Sequence, residues 1–343
     1  MSLDSPVQNH RSIKILVTGA AGGNQGATGR RVTELLLQDG FSVRAFVRIQ
    51  DERSERLHKL GAEIVVGDLR DISAVRAALE GISRAYFCYP LSEDFLEAAS
   101  ILAIAAKQRA LETVVHLSHG SANDTSLSRA SRRQWQAEQI FNWADIGAVH
   151  LLGALFFENL VRLAGPGIAK EGKIFLPLGD GSGIIPTVAG TDIARVAANI
   201  LADPDKHKGK AYYVSGPQQF TIREIAGIFS RVLKRPVDYV QVPLETWQEN
   251  FARVARPSAY LLQHLSSTLE MFARLRLQTG REGPPGVEQI TASNPVSLES
   301  FLRENAEAED RFWLESQLPV ADSPSGRGRR VLLNWLDERR RRS

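Results

Sequence analysis

The chain has a single cysteine, Cys88, among its 343 residues. A lone thiol closes no intrachain disulfide and assembles no thiolate cluster, so a disulfide scaffold and a cysteine-built metal site are excluded. Long apolar runs are also missing. The most apolar stretches, such as Ile101–Ala106, fall far short of the ~20 residues that cross a bilayer. The opening MSLDSPVQNHRS has no apolar segment of the secretory kind. These absences predict a cytoplasmic protein without a transmembrane segment. No HExxH pair is present, which leaves no metal site to expect. No Gly-x-Ser-x-Gly elbow places a serine nucleophile; Gly181-Ser182-Gly183 lies in a loop-like run. Nor does one sign of charge dominate, with 42 Lys and Arg against 39 Asp and Glu. Seven of the arginines fall within residues 327–343, which carry a net +5 and leave the rest of the chain at −2. The folded body is therefore not expected to bind nucleic acid.

What is present is the composition of a globular protein, 43% hydrophobic and 24% charged, which is enough to bury a sizeable core. Over the first 150 residues, short β-branched runs alternate with helical stretches. Strands are expected at Ile13–Thr18, Ser42–Val47, Glu63–Val66, Ala85–Cys88, Thr113–Leu117 and Ala148–Leu152. Helices are expected near 29–38, 52–60, 72–80, 93–110 and 132–144. That alternation predicts an α/β fold with a doubly wound parallel sheet. Beyond about residue 155 the pattern loosens, and Leu163–Gly167 and Pro177–Pro186 read as Gly/Pro-rich loops. Thr221 and Glu224 form a capping box before the apolar stripe Ile222, Ile225, Ala226, Phe229. Thr191-Asp192 reads as another helix opening. The division this suggests is an N-terminal arm at 1–12, a nucleotide-binding domain at 13–155, a smaller substrate-side α/β subdomain at 156–318 interleaved with it, and a linker with a basic tail at 319–343.

The first strand runs directly into Thr18-Gly19-Ala20-Ala21-Gly22-Gly23-Asn24-Gln25-Gly26-Ala27-Thr28-Gly29 and then into a helical pattern. Glycines at such a crossing let the chain turn tightly, bring N–H groups to a pyrophosphate and pack the helix on the strand. Gly19 occupies the first position and Gly29 the last. Gly22, Gly23 or Gly26 takes the middle role, because the turn is about four residues longer than usual. At the end of the second strand an NAD enzyme places an acid, whereas this chain has Arg48. A guanidinium there suits a ribose 2′-phosphate, so NADP(H) is expected in preference to NAD(H). Arg44 lies on the same side of that strand but away from its carboxyl end.

The glycine turn, Arg48, Gly67-Asp68-Leu69-Arg70-Asp71 and Val115-His116-Leu117-Ser118 together resemble the NmrA-like family of atypical short-chain dehydrogenases/reductases. Trp135-Gln136-Ala137-Glu138, Phe156-Phe157-Glu158-Asn159-Leu160, Thr191-Asp192-Ile193-Ala194 and Ser297–Leu302 are similar to its later stretches. The resemblance covers about residues 13–305. It implies an extended Rossmann fold with NAD(P)H at the carboxyl ends of the strands. It also implies that Asp68 and Leu69 border the adenine, Tyr89 and Pro90 line the cofactor, and Ser118 faces the nicotinamide.

The wider superfamily uses Tyr-x-x-x-Lys, in which the lysine lowers the phenol pKa for proton donation. Four residues after Tyr86, Tyr89, Tyr212, Tyr213, Tyr239 and Tyr260 stand Pro90, Glu93, Gly216, Pro217, Pro243 and His264, so the pair is missing. Gln134 stands where many relatives have histidine or lysine. Ser118 and His119 remain as catalytic candidates, a hydroxyl to orient a carbonyl and an imidazole of ordinary pKa ~6.5 to supply a proton. The expectation is an NAD(P)H-dependent oxidoreductase acting on a quinone-like or conjugated small molecule. The alternative is a non-catalytic NADP(H)-sensing regulator with a protein partner. Phe156, Phe157, Leu160 and Phe175 are expected to wall the small-molecule pocket.

Overall fold

The computed structural model describes residues 12–22, 27–275 and 286–307. Gly23 and Gly26, nearly all of the expected arm, and the linker and tail at 319–343 lie outside the described residues. The alternation of the first half is present. It runs β1 (Lys14–Thr18), α1 (Thr28–Gln38), β2 (Ser42–Val47), α2 (Glu52–Lys59), β3 (Glu63–Val66), α3 (Ile72–Ala78), β4 (Arg84–Phe87), α4 (Phe95–Gln108), β5 (Thr113–His119), α5 (Arg129–Ala144) and β6 (Val149–Gly153). The second half contains β7 (Leu155–Phe156), α6 (Phe157–Glu171), β8 (Lys173–Leu176), β9 (Ile184–Val188), α7 (Gly190–Ala202), β10 (Ala211–Val214), β11 (Gln219–Thr221) and α8 (Ile222–Leu233). It closes with β12 (Asp238–Gln241), α9 (Leu244–Ala255), α10 (Ala259–Arg274), α11 (Val287–Thr291) and α12 (Leu298–Glu307).

Seven parallel strands form the main sheet in the order β10-β6-β5-β4-β1-β2-β3. Strand order reverses between β1 and β4, and the crevice outside their carboxyl ends is where such sheets bind ligands. Both faces are covered. On one side, Val32 and Leu36 of α1 pack with Ile193, Val196 and Ile200 of α7. On the other, Val75 of α3, Leu102 and Ala106 of α4 and Phe141 of α5 close a second core. The α4 segment, apolar nearly all round, is a helix buried against the sheet as its composition predicts. Residues beyond 156 thus return to the main sheet through α7 and β10, while α6, α8, α10 and α12 enclose a third core around Ile174, Phe229 and Phe272.

Two local expectations are corrected. Leu163–Gly167 is not a loop but the middle of α6, with Pro166 inside the helix. Gly167 serves the packing of that helix: a Cβ there would lie 2.5 Å from Lys173 O, so glycine lets the helix close on its own return strand. The α7 helix opens at Gly190 with Asp192 in its first turn, as the sequence indicates, but without the side-chain cap of the Thr221 kind. Asp192 is fully buried instead, paired with Arg195 and accepting from Val296 N at 2.8 Å, which ties α7 to the segment before α12. The capping box at Thr221 and Glu224 forms as the sequence indicates.

Candidate active site

The carboxyl end of β1 is fastened to that of β4. Thr18 Oγ1 donates to Cys88 O and accepts from Cys88 N, each at 2.9 Å. The chain then turns through Gly19 and Gly22, with φ of +63° and +72°, and Gly22 N donates to Gly19 O at 3.0 Å. Positive φ is where glycine is free and L side chains are strained. At Gly29 the reason for glycine is space, since a Cβ would lie 2.5 Å from Gly19 O and 2.7 Å from Thr18 O. The α1 helix starts with no side-chain cap and no acid in its first turn. Among the described residues no side chain caps its first-turn N–H groups, which present the positive end of the dipole beside the carboxyl end of β1. Arg31 Nε, one turn in, is buried without a hydrogen-bond partner, and burial lowers the guanidinium pKa while Glu158 opposes that shift. A strand-turn-helix of this geometry, edged by an arginine whose buried Nε has no partner among the described residues, fits a dinucleotide pyrophosphate.

Arg48 follows β2 and is exposed. Arg44 is spent within the fold, donating to Ala78 O at 2.7 Å and Glu80 O at 2.8 Å and pairing with Glu63 at 3.0 Å. Sequence reading passed over Arg53, in the first turn of α2. It pairs with Asp51 and donates to Gly22 O at 3.1 Å, so it lies across the glycine turn. Asp68 is gripped by Arg70 through Nε at 3.1 Å, Nη2 at 2.6 Å and the backbone N at 2.9 Å. Arg70 chiefly, with a contribution from Arg48, holds the Asp68 carboxyl down at about 2. Leu69 turns its side chain into the core beside Phe46 and Val75, so toward a ligand it offers main chain. Tyr89 is half-buried and donates to Asp94 Oδ2 at 3.1 Å, and burial first, then Asp94, pushes its phenol to about 12. Pro90 is exposed beside it.

At the next strand the material changes. β5 runs two residues further than its apolar pattern suggests, because Ser118 and His119 pair with Leu152 and Gly153 of β6. Strand alternation sends the two neighbours apart. Ser118 Oγ meets Glu138 Oε1 of α5, and both residues are buried. Burial lifts the Glu138 carboxyl to about 7, with the Ser118 bond opposing. Glu138 was quoted from the sequence only as part of a family-like stretch; on an amphipathic helix a glutamate reads as solvent-facing. His119 instead approaches His264 of α10, ring centroids 5.0 Å apart, and its Nδ1 is buried without a partner. Burial takes His119 down to about 4, so at neutral pH it is uncharged and not the proton-bearing imidazolium its ordinary pKa suggested.

Beneath Ser118, on the same strand face, runs a buried polar chain. His116 Nε2 lies 3.0 Å from Gln134 Oε1, His116 Nδ1 lies 3.2 Å from His150 Nδ1, and His150 Nε2 lies 3.0 Å from Asn142 Oδ1. One consistent assignment has His116 donating to Gln134 and accepting from His150, whose Nε2 then accepts from the Asn142 amide turned to present its N–H. Gln134, which replaces the family's common histidine or lysine, thus anchors a neutral chain. Beyond β5 a cavity of about 410 Å³ opens between residues 121–128 and α10, with Ser121, Asn123, Leu127, Ser128, Thr268 and Met271 in its wall. Phe157 and Leu160, expected to line a pocket, are buried in the third core, and Phe156 and Phe175 are only half-buried. Among the described residues, no group of three or more His, Cys, Asp or Glu side chains could hold a metal ion. No helix among them is long and apolar enough to cross a membrane.

With this geometry in hand, comparison with known proteins is informative. The NmrA-like family matches residues 11–300. The chain belongs to the NmrA-like family. It is 28% identical over 237 residues to an NAD(P)H azoreductase of Xenophilus azovorans, spanning 69% of this chain and 81% of that enzyme. Its fold matches an NADPH-dependent quinone oxidoreductase of Escherichia coli complexed with NADPH, at TM-score 0.72 and 19% identity over 84% of this chain and 99% of the other. It also matches NmrA, a negative transcriptional regulator in complex with NADP, at TM-score 0.69 and 19% identity over 89% and 99%.

Proposed function

We propose that this NmrA-like protein is an NAD(P)H-dependent oxidoreductase that passes hydride to a quinone-like or conjugated small molecule. The observation that carries the reading is the glycine turn at the β1/β4 switch point, where Gly29 has no room for a Cβ and the uncapped start of α1 lies beside the carboxyl end of β1. A bound nicotinamide would supply the hydride. Gly19, Gly22 and the first turn of α1 would hold the pyrophosphate, and Asp68 with the backbone of Leu69 would border the adenine. Tyr89 and Pro90 would flank the cofactor, leaving Ser118 at the reacting end. An acceptor that spreads charge over a conjugated system needs less help from a strong protein acid than a simple ketone does, which suits a site without Tyr-x-x-x-Lys. The azo and quinone acceptors in the names of two relatives are of that kind.

NADP(H) is the preferred form in this reading, with Arg48 on the 2′-phosphate and Arg53 beside it. Fluorescence titration with NADPH and NADH tests this. Arg48→Ala should weaken NADPH about tenfold, the worth of one charge-assisted hydrogen bond, and leave NADH unchanged. Equal loss for both nucleotides would remove the clamp. A second reading, the NADP(H)-sensing regulator, is favoured by the missing Tyr-Lys pair, and the likeness to NmrA is in keeping with it. Steady NADPH consumption with a naphthoquinone or an azo dye decides for the enzyme. Nucleotide binding without turnover decides for the regulator.

A further inference from the structure

Ser118 and Glu138 form a buried pair that the nucleotide site does not need. Glu138 lies on α5 one turn beyond Gln134, is 8% exposed, and has its Oε1 in hydrogen-bond contact with the Ser118 hydroxyl at the carboxyl end of β5. A carboxylate serving only as a helix strut would be expected to have a cation or several N–H donors to offset burial. None of the charged or titratable groups on the elements packed around α5 does that. From β5 come His116 and His119, from β6 His150 and from α10 His264, all held neutral by burial. Tyr260 of α10 faces Arg129 and Arg133 on the outer side of α5, Arg132 of α5 donates to Ser126 O, and Glu270 and Arg274 of α10 lie in the wall of the cavity beside residues 121–128. On α4, Glu97 and Lys107 are exposed, and Lys107 donates to Ala144 O at the far end of α5. Glu138 is therefore a carboxyl whose only polar contact among the described residues is the Ser118 hydroxyl at the carboxyl end of β5.

We propose that Glu138 holds the proton consumed in the reaction and delivers it to the acceptor through the Ser118 hydroxyl. The proposal rests on the oxidoreductase reading above. As the acceptor takes hydride, two electrons and one hydrogen nucleus from the reduced nicotinamide, negative charge develops on its heteroatom. The Ser118 O–H bond breaks toward that atom while the Glu138 O–H bond breaks toward Ser118 Oγ. The hydroxyl is restored, Glu138 is left as carboxylate, and water reprotonates it before the next turnover. One acceptor, one reduced nucleotide and one proton give the reduced acceptor and oxidised nucleotide. A carboxyl poised at about 7 has the acid strength this requires near neutral pH. Glu138 touches neither substrate nor cofactor and acts only through Ser118, which is why a missing Tyr-Lys pair need not leave the site without an acid.

The test is a pH profile of NADPH turnover with 1,4-naphthoquinone and with an azo dye, for the wild type, Glu138→Gln, Glu138→Asp and Ser118→Ala. In the wild type kcat should fall about tenfold per pH unit above about pH 7, as the acid form is lost. Glu138→Gln and Ser118→Ala should lower kcat at about pH 6 by about 30-fold and flatten the limb, with the NADPH Kd unchanged within about twofold. Glu138→Asp should keep a limb. Infrared difference spectra of the unliganded protein supply a reading independent of turnover: a protonated-carboxyl band present at about pH 6, lost by about pH 8.5, and absent in Glu138→Gln. Turnover in Glu138→Gln with the wild-type limb would overturn the relay and leave the oxidoreductase reading standing. Nucleotide binding without turnover in the wild type would overturn both. Should Glu138→Gln fail to fold, absence of the titrating band in the wild type would still overturn the relay.

Discussion

The two halves of the crevice, less than a sheet's width apart, are built of different material. At β1 and α1 the groups at the strand end are main-chain N–H donors, fixed by Gly19, Gly22 and the close approach at Gly29. At β5 and α5 they are side chains withdrawn from water, Ser118 on Glu138 above a His116–His150 chain. The difference suits the two tasks proposed above. A pyrophosphate carries permanent charge, so a rigid array of donors and a helix end suffice, and no group needs to change state. A proton must be held and then released, which calls for an ionisable group whose pKa lies near ambient pH, and burial is how a carboxyl is brought there. One half is thus defended by sterics and the other by desolvation, and each should break in its own way.

The largest effect is expected at Gly29. A side chain there meets backbone oxygens that cannot swing aside, so Gly29→Val forces α1 off the turn. NADPH binding should fall by more than about 100-fold, with about 3 kcal/mol or more of stability lost to overpacking. Titration and urea unfolding would measure both, and near-native binding would show that the turn yields. His116→Ala should do the reverse. It leaves Gln134 and His150 without their partner and opens a void, for about 3 kcal/mol of destabilisation, yet NADPH affinity should stay within about twofold because no main-chain donor moves. A variant outside both halves sets the scale: Thr221→Ala removes one side of the α8 capping box and should cost about 1 kcal/mol with no change in nucleotide binding.

The halves also differ in how far the sequence discloses them. The nucleotide half is written in consecutive residues. A β-branched run, a glycine cluster and a helical period follow one another, and positive φ and close approach admit little but glycine. Strand alternation puts Arg44 and Arg48 on one side, and position along the strand separated Arg48 at the carboxyl end from Arg44, which the structure shows bonded inside the fold. The other half depends on residues 18 to 34 positions apart meeting across a helix and two strands, as His116, Gln134 and His150 do. No local period marks such a meeting. His119 was judged by its ordinary pKa because its burial by α10 is a tertiary fact. Pro166 misled for a related reason: breakers signal a loop on average, and the packing of this helix on its return strand at Gly167 is a tertiary fact.

The smallest effect is the most discriminating, because buried histidine and buried carboxyl respond to pH with opposite sign. His119, His150 and His264 have folded pKa values of about 4, 4 and 3, below the ordinary 6.5. Their stability is fully present above about pH 6.5 and is lost as pH falls toward those values, since only the unfolded chain takes up protons easily. Glu138, at about 7 in the fold, behaves the other way: its contribution is fully present below the ordinary carboxyl pKa and is lost as pH rises through about 7. Between about pH 7 and pH 6 each of these histidines loses about 0.7 kcal/mol, about 2 kcal/mol for the three, against a glutamate gain of about 1 kcal/mol. The wild-type Tm should therefore decline gently over that interval, with the glutamate offsetting about half of the histidine loss, and drop further into acid. Glu138→Gln removes the compensating member, so its Tm should fall about twice as steeply from about pH 7. Parallel Tm curves for the two proteins would mean that Glu138 is already ionised in the fold, and that the side-chain half of the site is held together by some balance other than desolvation.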